Sequence, residues 1–80
     1  MNNNEEKIIA KGLNPPGPLL IVKKKLQTVQ SKSLRIIVSS IESAEGLVDF
    51  FKERNAEASV DRAGDDFHVV VDLTNFKDRD

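Results

Sequence analysis

The sequence predicts an α+β fold: a two-layer α/β sandwich of β-α-β-α-β-β order, with two helices on one face of a four-stranded mixed sheet. Three observations carry this. Leu34, Ile36 and Val38, and again Phe67, Val69, Val71 and Leu73, recur at every second residue, the period of a strand with one apolar face. Leu19, Val22, Leu26 and Val29, and then Ala44, Leu47, Val48 and Phe51, recur at spacings of three and four, which makes one stripe of a helix. Every element therefore has a single side to bury, and helices alternating with strands meet that need by lying together on one side of one sheet. Eighty residues leave room for one such domain.

Taken in order, residues 1–6 are polar and read as a flexible leader, residues 7–74 as the single domain, and residues 75–80 as a polar tail. That tail holds one aromatic, Phe76, and is expected to fray. Ile8-Ile9-Ala10, within Lys7 to Lys11, supplies a short first strand. Gly12-Leu13-Asn14-Pro15-Pro16-Gly17-Pro18 then ends regular structure, because proline lacks the amide donor and fixes its own φ. Proline is tolerated in a first helical turn, so a helix is expected from about Pro18 to Gln30. The second strand runs from about Ser33 to Ser39. Ser39, with Glu42 three residues on, fits a capping box for a second helix reaching about Arg54. Asn55 stands where a left-handed residue closes that helix. Ala56, Ala58 and Val60 alternate with polar residues in a third strand, and Gly64-Asp65-Asp66 turns the chain into the fourth. Right-handed crossovers make the first three strands run one way and the fourth the other.

Composition excludes several function classes. Twelve basic residues against thirteen acidic give a net charge of −1, so no global field draws the chain to phosphate backbones or anionic lipid. With no cysteine there is no disulfide framework, thiolate metal site or cysteine nucleophile. The longest apolar run, Leu19 to Val22, is far short of a membrane span, and the start is unlike a signal peptide, so the cytoplasm is the expected compartment. No cofactor is expected.

The joint Gly12-Leu13-Asn14-Pro15-Pro16-Gly17-Pro18-Leu19 between the first strand and first helix resembles that of the TusA/SirA family of small sulfur-carrier proteins. In that family the joint reads Gly-Leu-x-Cys-Pro-x-Pro, followed by a lysine-containing amphipathic helix. Gly12, Leu13, Pro16 and Pro18 match, with Lys23, Lys24 and Lys25 behind them, and the likeness spans about Ile8 to Leu73. The family's cysteine, which carries a persulfide from a cysteine desulfurase to an acceptor, falls on Pro15. An aspartate common near the end of the family's first strand is replaced by Ile9. The resemblance therefore implies the family's fold without its sulfur chemistry: no catalytic residue, and a protein-interaction or regulatory module in place of a carrier. Two alternatives stand beside it, a sulfur-relay component acting with a cysteine-bearing partner and a small RNA-binding domain. No Trp or Tyr is present to stack bases, so nucleic acid is not the expected partner.

A protein partner is expected, and two surfaces qualify. One is the joint itself with Lys23, Lys24 and Lys25, lysines whose first reading is a solvated helix face. The other is the open face of the sheet, where Ile9, Ile37 and Val70 are expected to point away from the helices and could seat a partner or a second copy as a homodimer. His68 shares that face with Asp66 and Asp72. The two aspartates lie about 20 Å apart at 3.3 Å per residue, so at most Asp66 and His68 could cooperate, and a metal site is not expected. Ser39 and Ser40 precede a helix and read as its cap, not as nucleophiles.

Overall fold

The computed structural model describes residues 5–77. Its elements follow the expected order: β1 (Glu6–Ile9), α1 (Gly17–Leu26), β2 (Ser33–Val38), α2 (Ile41–Glu53), β3 (Glu57–Ala63) and β4 (Asp66–Asp72). The four strands form one sheet in the order β1-β2-β4-β3. β1 lies parallel to β2, while β4 runs antiparallel to both β2 and β3, so the first three strands share a direction as expected. β3 and β4 form the expected hairpin, turned at Gly64 with φ of 64°.

The alternation read from the sequence sorts the faces. Leu34, Ile36 and Val38 of β2 and Val69 and Val71 of β4 are buried beneath the helices, with Ile8 of β1 beside them. α2 contributes Ala44, Leu47, Phe50 and Phe51, and α1 contributes Val22. Leu19, Leu26, Val29, Val48 and Phe67, also expected in the core, pack against it while half-buried. Phe50 was missed because Phe51 completes the more obvious stripe. It meets Phe51 edge to face at 5.0 Å. The Arg54 guanidinium lies 4.1 Å over the Phe50 ring, and Lys23 Nζ approaches it at 5.6 Å.

Four boundaries differ from expectation. α1 ends at Leu26, four residues before Gln30: Gln27 and Thr28 donate to the carbonyls of Lys24 and Lys25 in tightened i−3 bonds, and the Thr28 hydroxyl adds a second bond to Lys25. The cap of α2 is Ser40, whose Oγ accepts from the Ser43 amide at 3.2 Å, and Ser39 is used elsewhere. Of the expected tail, residues 75–77 pack back on the domain, and residues 78–80 lie outside the described residues. Phe76 packs 5.8 Å from Phe51, the Lys77 amide donates to the Arg54 carbonyl at 2.8 Å, and Asn55, left-handed at φ 68° as expected, donates its side-chain amide to the Asn75 carbonyl. Of the leader, residues 1–4 lie outside the described residues. Glu5 ion-pairs with Arg35, and Glu6 begins β1.

The loop following β4 also sets a charge. The Asp72 carboxylate accepts the Thr74 amide at 2.9 Å, and bonds from the Thr74 hydroxyl and amide, aided by nearby Lys32, hold it below the usual aspartate range.

Candidate partner-docking site at the proline loop

β1 delivers the chain to the loop with Ala10 buried and its amide bonded to the Ile37 carbonyl at 2.8 Å. Gly12 then turns at φ 79°, a conformation that side-chain-bearing residues rarely adopt. Its amide donates to Ser39 Oγ at 2.8 Å, so the serine expected to cap α2 instead ties the loop to the end of β2. The Asn14 carbonyl accepts the Gly17 amide at 2.8 Å, and the Pro16 carbonyl accepts the Leu20 amide at 3.1 Å, the first turn of α1. Pro16 is the N-cap residue and makes no side-chain cap; the Pro15-Pro16 peptide is cis. Pro18 is buried and anchors the helix start. Leu13 folds back over Gly17, where a Cβ would lie 3.2 Å from that of Leu13.

What remains outward is apolar. Pro15 and Pro16 are exposed, Leu13 is 38% exposed and Leu20, one turn into α1, is 60% exposed. Beside them a cleft of about 130 Å³ opens between the loop and α2, lined by Pro15, Pro16, Pro18, Leu19, Ser43 and Gly46, with Glu42 at its rim. Gly46 keeps this cleft open, since a Cβ there would meet nothing within 4 Å. Ser43 is 4% exposed, and its Oγ has no hydrogen-bond partner. Sequence reasoning missed Leu20, Ser43 and Gly46. A signal existed for Leu20: a helix buries one stripe, so the run Leu19 to Val22 has to leave at least one member outside.

The chemistry of this end of α1 is spare. Pro16 and Pro18 have no amide hydrogen and the Gly17 amide is already bonded to Asn14, so little of the donor set that makes a helix start attract anions is left. No side chain from Gly12 to Pro18 is a nucleophile.

The other residues singled out from the sequence fall apart in space. Lys23 leans over Phe50, whereas Lys24 and Lys25 border a shallow groove with Ile21, Gln27 and Thr28, so the three do not form one patch. Ile37 and Val70 do lie on the open face, on the neighbouring strands β2 and β4, and Ile9, 67% exposed, pairs with Ile37 across β1 and β2. His68 and Asp66 do not cooperate. Arg35 Nη1 donates to His68 Nδ1 at 3.0 Å while its Nε holds Glu5 at 2.9 Å, and Asp66 is paired with Lys11 at 2.9 Å. Among the described residues no group of three or more acidic or histidine side chains is placed to hold a metal.

In a comparison of folds, a SirA-like protein from Desulfitobacterium hafniense superposes with a TM-score of 0.70 at 17% sequence identity, covering 82% of this chain and 93% of that one. The fold is SirA-like. At that identity the likeness speaks for architecture, and no protein-family model or curated protein matches the sequence. The joint between β1 and α1 that carries the sequence resemblance is the proline loop just described, and Pro15, the position that the resemblance assigns to the family's cysteine, is exposed. Among the described residues, no helix is long and apolar enough to cross a membrane.

Proposed function

We propose that this chain is a non-catalytic interaction module that keeps a sulfur-carrier fold and docks a protein partner at the proline loop, an apolar side chain of the partner entering the cleft between Pro16 and Gly46. The observation that supports it is Pro15 itself. At the position where a carrier of this fold needs a thiolate, the chain holds an exposed residue with neither nucleophile nor donor, set among other outward apolar groups. Leu13, Pro15, Pro16 and Leu20 supply surface to bury against a partner. The cleft supplies a place for an anchor, the arrangement in which a few residues dominate binding.

The test has two arms. Incubated with a cysteine desulfurase and labelled cysteine, the chain is expected to retain no covalent sulfur; retention would overturn the non-catalytic reading. Proteins captured from the native cell extract are then compared between the wild type and Gly46→Leu, which fills the cleft from a helical position with open space around it. Loss of specific capture with an unchanged circular dichroism spectrum is expected. Identical capture would remove the cleft from the function.

A further inference from the structure

The open face of the sheet, on the side away from the proline cleft, is electrically divided. On its β1–β2 half stand Lys7 and Arg35, the latter already holding Glu5, while Lys11, just past β1, reaches across to pair with Asp66 at 2.9 Å. On the β4–β3 half Glu57 and Asp61 stand together on β3, with Asp72 beside Lys32 and Asp66 already paired with Lys11 on β4. Between the halves, Ile37 and Val70 lie diagonally across the β2–β4 pair, and Ile9 flanks them.

We infer that this face binds a second copy of the same chain, sheet on sheet, about a two-fold axis parallel to the strands and between β2 and β4. Such an axis exchanges left and right without inverting the strands, so the basic half of each copy faces the acidic half of the other. Lys7 then lies over Ser59 of the second copy, between its Glu57 and Asp61, because Lys7 pairs with Arg35, Arg35 with Val70 and Val70 with Ser59 in one row across the sheet. Ile37 and Val70 of both copies converge near the axis. A two-fold across the strands would set acid on acid, so charge selects the first arrangement. Parallel strand directions also suit the aligned packing of sheets.

Four strands by five or six residues make a flat footprint of roughly 350 Å² per copy. That is below the ~800 Å² per partner of standard interfaces, so the dimer is weak and concentration-dependent. The inference goes beyond the docking role, since the proline cleft lies in the helical layer and stays free.

Sedimentation velocity on the full chain, from about 10 μM to about 1 mM, spans the affinities of small interfaces. The wild type is expected to rise from monomer toward dimer mass. Lys7→Glu with Lys11→Glu makes both halves acidic, and Glu57→Lys with Asp61→Lys sets two lysines opposite Lys7 of the second copy; each variant alone is expected to associate at least ~10-fold more weakly. An equimolar mixture of the two is expected to regain association, a result that loss of folding could not produce. Amide NMR shifts on dilution of the wild type, which need no variant, are expected at Arg35, Ile37, His68 and Val70. A wild type that stays monomeric throughout, shifts centred on the helices, or variants that associate like the wild type would each overturn the inference.

Discussion

The two helices lie on the same face of one sheet but are built differently. α2 runs for thirteen residues, has a side-chain cap at Ser40, and buries Ala44, Leu47, Phe50 and Phe51. Its backbone closely approaches β2, β3 and β4, whereas the close approach of α1 is to α2. α1 has ten residues, no side-chain cap, and only Pro18 and Val22 buried, with Leu20 left in solvent. The contrast is one of anchoring, since both helices wall the cleft beside the proline loop. α2 holds the domain together, and α1 presents a loop and can spend an apolar residue on the outside without cost to the core.

The two helices are expected to differ most in the core. Phe51→Ala is expected to lower stability by about 3–5 kcal/mol, because it empties a site in contact with both Phe50 and Phe76. Leu26→Ala, at a half-buried position at the end of α1, is expected near the lower end of the large-to-small range, about 2 kcal/mol. Urea titrations of both variants measure this, and equal losses would erase the distinction between the helices. Next in size is the cap. Ser40→Ala is expected to cost about 1 kcal/mol, read in the same titration. Leu20→Ser is the converse case: a change within about 0.5 kcal/mol is expected, as for exposed positions, together with weaker partner capture.

The smallest effect lies outside both helices. Asp72 is held below its unfolded value by Thr74, so its contribution is present above the unfolded pKa and is lost as pH falls through the lowered folded value. Asp72→Asn is therefore expected to be slightly less stable than the wild type at neutral pH and to converge with it in acid, which paired titrations at the two pH values check.

What was legible in the sequence is what local periodicity can encode. The alternation of Leu34, Ile36 and Val38 fixed which face of β2 is buried, and Asn55 and Gly64 marked turns through their backbone demands. Periodicity says nothing about which strand sits beside which, so the placing of β4 between β2 and β3 was not foreseen. Adjacent serines were equally able to cap α2, and a bond from Gly12, 27 residues away, decided between them. Phe76 was invisible for a simpler reason: a lone aromatic in a polar segment has no period to display. At the site, Pro15 and its neighbours could be read directly, while the cleft needed the approach of α2 at Ser43 and Gly46, which only tertiary structure supplies.

The central position of β4 also bears on how the chain reaches this state. The β3–β4 hairpin is local and can close quickly, but β2 waits for a strand that begins 28 residues after its own last residue, Val38. The entropy of closing that span precedes any gain from the β2–β4 ladder, so docking of the hairpin on β2 is expected to follow its closure. Once docked, β4 is bonded on both sides. Its amides at Val69 and Val71 are therefore expected among the slowest to exchange, which amide hydrogen exchange would read.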